Sequence, residues 1–172
     1  MSISLYASAV PVIKQMLGSL DHILAKTETH VAATQSDPTA LTSARLFADM
    51  FPLTRQVQIA CDFAKAMAGR LSNSEVPRFD DSEQTLAELR ALVAKTFDYV
   101  SSIEPSRFEG GEQREIVIRP GTEHERKFNG QTYLLSYAMP QFFFHITTTY
   151  DILRHNGVPL GKKDFLAGLA AA

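Results

Sequence analysis

The sequence predicts an all-α fold: a four-helix bundle with a crossover connection and a small β-hairpin before the last helix. Apolar residues return every three or four positions along four long segments, the spacing of a helix face turned to a core. Proline, glycine and asparagine punctuate the chain between those segments. One β-type run interrupts the series before the fourth segment, so the last connection is a long crossover rather than a tight turn.

The first stripe comprises Leu5, Ala9, Ile13, Met16, Leu20, Leu24 and Val31, with Pro11 either in the tolerant first turn or at a kink. Asp37-Pro38 marks a break, and residues 39–47 are expected to form a short connecting helix. Pro52 reads as the first-turn proline of a second helix carrying Leu53, Val57, Ala60, Cys61, Ala64, Ala68 and Leu71, closed by Asn73 and Pro77. Asp81 and Gln84 have the spacing of a capping box ahead of a third helix, striped by Leu86, Leu89, Val93, Thr96, Val100 and Ile103 and ended before Pro105. Glu115-Ile116-Val117-Ile118-Arg119 reads as a strand, Pro120-Gly121 as a turn and residues 124–128 as its return, a hairpin expected outside the bundle. The last helix is expected over residues 131–156, kinked at Pro140 and capped at Asn156-Gly157.

Composition bounds the function. A chain of 172 residues suits a single domain, spanning 1–172. At this size folding buries roughly 70% of the unfolded surface, enough for a core without staples. Seventeen basic against nineteen acidic side chains give a net charge of -2, which offers nothing to nucleic acid or an anionic membrane. Cys61 is the only cysteine, which excludes an internal disulfide and a cysteine-rich zinc site. The start, Met1 to Tyr6, lacks a basic and apolar leader, and no stretch is long enough to span a membrane, so a cytoplasmic protein is expected.

The fourth helix differs from the others. At about 100° per residue, Leu134, Ala138, Gln141, His145, Thr148, Thr149 and Ile152 share one face, with a polar centre between apolar ends. An unpaired amide or imidazole in a core costs roughly 1–3 kcal/mol, so Gln141 and His145 need partners: each other, water, a metal or a ligand. The other faces carry Tyr137, Phe142, Phe143, Phe144, Ile146, Tyr150 and Leu153. A helix apolar all round must be covered all round; a homodimer through this helix is expected, the alternative cover being the hairpin or the C-terminal tail.

The segments Met50-Phe51-Pro52-Leu53, Gln56-Val57-Gln58-Ile59-Ala60-Cys61-Asp62, Phe142-Phe143-Phe144-His145 and Arg154-His155-Asn156-Gly157, with the tail Gly161-Lys162-Lys163-Asp164-Phe165, resemble an uncharacterised bacterial family of the DinB/YfiT-like superfamily. That resemblance implies a four-helix bundle and a divalent-metal site, often zinc or nickel, built from one histidine on the second helix and a His-x-x-x-His pair on the fourth. Some members are thiol-dependent S-transferases and others hydrolases or isomerases, chemistry that needs three nitrogen donors and an open position. Here the pair reads Gln141 and His145, and no histidine lies between Pro52 and Leu71; Gln56, Gln58 and Asp62 are the polar residues there. Amides are poor zinc ligands.

The pocket candidates are therefore His145, Gln141, Gln58, Asp62, Thr148 and Thr149, with His145 and Gln141 as the residual metal candidates for Zn or Ni. Against these stand plainer roles: His145 as a core histidine bonded to Gln141 or to the second helix, and Asp62 as the partner of Lys65. Arg154, His155 and His30 fit the positive charge wanted at helix C-termini, His22 and His124 fit the surface, and Cys61 fits a buried inert thiol. Two functions follow. The first is a dimeric small-molecule-binding or non-catalytic member with a degenerate metal site. The second is a metal-dependent S-transferase or hydrolase with an unusual His/Gln/Asp shell.

Overall fold

The structure, a computed structural model, describes residues 3–168; Met1-Ser2 and residues 169–172 of the expected domain lie outside the described residues. Four long helices form the bundle: α1 (Leu5–Thr34), α3 (Leu53–Ser72), α4 (Leu86–Ser101) and α6 (Met139–His155). Short helices α2 (Pro38–Thr42), α5 (Gly130–Thr132) and α7 (Lys162–Phe165) lie between or after them. α4 packs against both α1 and α3, and α6 packs on the remaining side of α3. The core runs continuously through these faces, from Ile13, Leu17 and Leu20 to Leu53, Val57 and Met67, Leu89, Phe142 and Ile152.

The caps explain where the helices begin and end. Ser4 accepts from the Ala7 N–H at 3.2 Å and opens α1. Pro11 lies well inside α1, but Ala7, whose carbonyl loses its helical donor, is exposed to water, so the helix continues. Asp37 caps α2, which stops at Thr42 rather than reaching residue 47. Asn73, left-handed at φ 53°, closes α3. α4 opens on a capping box of Thr85 and Glu88, not on Asp81 and Gln84. Asp81 instead adopts φ 51° and pairs with Arg55. Arg90 joins α4 to α1 through Asp21 and Glu28, each at 2.8 Å.

The hairpin pairs β1 (Glu115–Ile118) antiparallel with β2 (Arg126–Asn129), Glu115 opposite Asn129 and Ile118 opposite Arg126. It does not stand outside the bundle. Ile116 and Ile118 point inward on the alternating register and are buried in the core, because one face of the ribbon is apolar. The final helical run is continuous but not uniform: α5 leads into a π-helical segment, Tyr133–Ala138, before α6. Pro140 sits at the start of α6, where the wider turn has already displaced the α-helical ladder.

α7 folds back on α1. Asp164 accepts from Lys26 Nζ at 2.9 Å and from the Gly161 N–H at 2.8 Å, and faces His22 Nε2 at 2.9 Å. His22 is thus an anchoring residue as well as a surface one. The Lys26 hydrogen bond, with those of His22 and Gly161 behind it, outweighs the opposing effect of burial and holds the Asp164 carboxyl far below the ordinary carboxylate range. Asp164→Asn is expected to cost about 1 kcal/mol near pH 7, discounted for the exposure of Lys26 and His22. A depressed carboxyl stabilises above its unfolded pKa and loses that contribution as pH falls through the folded value, so the gap between variant and parent should close only in strong acid. Urea unfolding across pH checks this; a variant equal to its parent at pH 7 would rule the anchor out.

Candidate functional site

Along α3, Arg55, Ile59, Asp62, Phe63, Ala66 and Arg70 recur at helical spacing on the face turned away from α4's core stripe. The connection after α3 brings Val76 to Phe79 and Asp81 above them, the end of β1 brings Ile118 and Arg119, and the last helical run brings Tyr137, Gln141 and His145. These residues enclose a cleft of ≈ 820 Å³. A second recess of ≈ 380 Å³ shares Ile118, Arg119, Tyr137 and Gln141 with it and adds His124, Arg126, Ser136 and Pro140.

His145 is the polar centre of the cleft. Its Nδ1 lies 2.7 Å from Gln56 Oε1, while Gln56 donates through Nε2 to the Phe51 carbonyl at 3.2 Å. Because that amide nitrogen is already a donor, Oε1 must accept, and Nδ1 carries the imidazole proton. Nε2 is then a lone-pair acceptor. It has no hydrogen-bond partner among the described residues, and no buried side-chain nitrogen or oxygen there is left unpaired, so Nε2 opens on the cleft. Burial first, and then the Arg55 guanidinium, lower the His145 pKa from 6.5 to about 4, so the ring is neutral at pH 7. Phe63 stacks on it at 6.0 Å between centroids and Phe144 meets it edge-on at 5.3 Å.

The other sequence-derived candidates divide. Gln141 lines the cleft and donates to the Tyr137 carbonyl at 3.3 Å, which leaves its amide oxygen uncommitted among the described residues. Asp62 lines the cleft too, bonded to Lys65 at 2.7 Å. Gln58 points elsewhere: it donates to Glu83 at 2.9 Å and accepts from Arg55 at 3.2 Å. Thr148 and Thr149 are buried and donate to the Phe144 and His145 carbonyls one turn back, at 2.8 and 2.9 Å, so neither reaches the cleft. The core face of the last helix runs through Leu134, Ala138, Phe142, Ile146, Thr149 and Leu153 rather than through Gln141 and His145. The π-helical segment uses more residues per revolution than an α-helix, which rotates the later positions by roughly one residue and leaves the polar pair at the edge of the face. Cys61 is fully enclosed, and burial raises its thiol pKa to about 12, so it stays protonated.

The sequence named Gln56 among the polar residues of the second helix but not as a pocket candidate, and it did not single out the arginines as cleft residues. Gln56 lies on the same apolar stripe as Leu53, Val57 and Ala60 and is 1% exposed, a position that marked it as the inward amide of α3. Arg55, Lys65, Arg70, Arg78 and Arg119 give the cleft five cations against the carboxylates of Asp62 and Asp81. Arg55 pairs with Asp81 at 2.6 Å and Lys65 with Asp62, whereas Arg70 donates to the Tyr133 hydroxyl at 3.2 Å. Arg119 has φ 51° although Pro120 follows. A left-handed conformation costs a side-chain-bearing residue about 1–2 kcal/mol, and a following proline disfavours it further. Gln35 and Asn73, two other non-glycine residues with positive φ, close helices; Asp81 and Arg119 line the cleft.

The donor set does not fit a zinc or nickel ion. Among the described residues His145 is the only imidazole lining the main cleft; its Nδ1 is committed to Gln56, Asp62 and Asp81 are paired with Lys65 and Arg55, and Gln141 offers only an amide. Among the described residues no group of three or more His, Cys, Asp and Glu side chains is gathered as a metal would require. The arrangement offers instead a neutral imidazole acceptor, an amide, an aromatic wall and surplus guanidinium groups.

These features define a helical-bundle protein with a lateral polar cleft between its second and fourth long helices. Residues 5–166 match the family model described as Domain of unknown function (DUF1993), and the chain belongs to that family. It is also similar to a DinB family member protein from Shewanella denitrificans, whose crystal structure superposes with a TM-score of 0.90 at 39% identity, covering 98% of this chain and 94% of that one. No curated protein matches the chain. Among the described residues no helix is long and apolar enough to cross a membrane.

Proposed function

We propose that this chain is a dimeric, cytoplasmic, small-molecule-binding member of the DinB-like proteins, in which a hydrogen-bonded imidazole–amide pair stands where its superfamily places a metal. The observation that carries the reading is the His145 Nδ1 to Gln56 Oε1 contact at 2.7 Å on the wall of the ≈ 820 Å³ cleft. That contact fixes the tautomer and presents Nε2 as a neutral acceptor, a binding group that needs no ion to be satisfied. Dimerisation is supported by the last helical run itself. The hairpin covers Tyr137 through Phe128 and the tail covers Tyr150 through Phe165, yet Leu135 and Phe144 remain 56% and 55% exposed. A second copy laid along this run would remove those side chains from water.

One tag-free preparation tests both parts. The expected result is substoichiometric zinc and nickel by elemental analysis, unchanged in His145→Ala, and a dimer mass by light scattering at micromolar concentration. Stoichiometric metal lost on His145→Ala would overturn the ligand-site reading in favour of the metal-dependent enzyme, and a monomer would remove the dimer.

A further inference from the structure

We infer that the cleft takes a small molecule bearing an oxyanion, a carboxylate or phosphate, held by Arg119 with Arg78 and Arg70 while the body of the ligand lies against Phe63 and Tyr137. The inference rests on the ligand-cleft reading and specifies its substrate class. Once Arg55–Asp81 and Lys65–Asp62 cancel, Arg70, Arg78 and Arg119 have no carboxylate partner among the described residues. The cleft is therefore positive in a chain whose net charge is -2. A concave wall of one sign concentrates counter-charged solutes, and guanidinium matches the two-oxygen edge of carboxylate and phosphate.

Arg119 is the pivot of this surface, because it lines both the main cleft and the recess beyond it, where Arg126 adds another cation. It also occupies the backbone position least suited to a side chain: left-handed and followed by proline. Glycine would relieve that conformation, yet an arginine stands there. Strain of this kind persists where the side chain serves the site. On the wall of the same cleft, His145 Nε2 is free to accept a hydrogen bond, so the ligand carries an O–H or N–H donor as well as its anion.

Calorimetry with three probes tests the inference: phenyl phosphate, benzoate and the uncharged benzyl alcohol, at low and at moderate salt. Phenyl phosphate or benzoate should bind more tightly than benzyl alcohol and weaken as salt rises. Arg119→Gln should lower the affinity for the anion roughly tenfold, the loss expected for one charge-assisted contact, and leave benzyl alcohol unaffected. The two anions distinguish a phosphate from a carboxylate ligand. Arg119→Gly should lose the same affinity with Tm unchanged or higher; Arg119→Gln decides if the glycine disturbs the turn. Binding of benzyl alcohol with no preference for either anion, or anion binding indifferent to Arg119→Gln, overturns the inference and leaves the cleft reading standing. Failure of all three probes to bind removes both.

Discussion

Replacing Gly130 with alanine is expected to destabilise the protein by about 3 kcal/mol, the upper end of the cost of overfilling a packed interior. A Cβ at Gly130 would lie 1.9 Å from the carbonyl oxygen of Gly111 and 3.0 Å from its carbonyl carbon. Both obstacles are backbone, so no side-chain rotation relieves them, and Gly111 has its own constraint: a Cβ there would meet the Leu71 carbonyl oxygen at 2.8 Å. The pair is a close backbone approach between the start of the last helical run and the loop before β1, at the end of α3. For a chain of this size about 3 kcal/mol corresponds to a fall in Tm of roughly 6–12 °C. Gly161→Ala, where nothing lies within 4 Å and φ is -140°, is the control and should stay within about 0.5 kcal/mol. The contact also positions the cleft, because the hairpin that carries Arg119 is anchored on either side of it, so any folded Gly130→Ala protein should bind phenyl phosphate more weakly. A variant as stable as its parent in urea would show that the two backbones are not in close approach.

The helices were legible because each buries a stripe at its natural period, and α1, α3 and α4 kept theirs. The fourth run was legible as a helix but not in its phase: periodicity assumes about 100° per residue throughout, and Tyr133–Ala138 departs from that. Gln141 and His145 were therefore expected at the centre of the buried face and lie at its edge, where they serve a cleft rather than a core. Thr148 and Thr149 illustrate a second gap. A threonine on a helix can satisfy itself on the carbonyl one turn back, and the sequence carries no sign of which hydroxyls do so. The capping box shifted for a similar reason: Asp81 and Thr85 both have a Gln or Glu three residues later, and only tertiary contact with Arg55 draws Asp81 away from the helix. The arginines of the cleft were illegible, because Arg70 and Arg119 come to line one cleft only through the hairpin's docking, which local patterning does not encode. The inward amide was partly readable, since Gln56 lies on the stripe and Gln58 does not.

Gln56→Leu is expected to cost about 2 kcal/mol, because it strips the acceptor from His145 Nδ1–H and the donor from the Phe51 carbonyl while keeping an apolar volume in place. His145→Phe should cost a similar amount from the other side by leaving the buried Gln56 Oε1 without its donor. Removing both partners leaves fewer orphans than the two single changes together. The double variant should therefore be more stable than the sum of the two losses predicts, by about 1 kcal/mol or more. The pH dependence has a definite sign. With the folded pKa at about 4 and the ordinary value at 6.5, the unfolded imidazole takes up a proton between those limits and the folded one does not. This residue therefore makes the parent lose stability as pH falls from about 6.5 to about 4, and His145→Phe removes that loss, so the gap between the two proteins should narrow over the same window. Urea unfolding of the four proteins at neutral and mildly acid pH measures both effects. Additive losses within about 0.5 kcal/mol together with a gap independent of pH would mean that His145 is an ordinary exposed histidine, and the tautomer on which the ligand site depends would have no physical support.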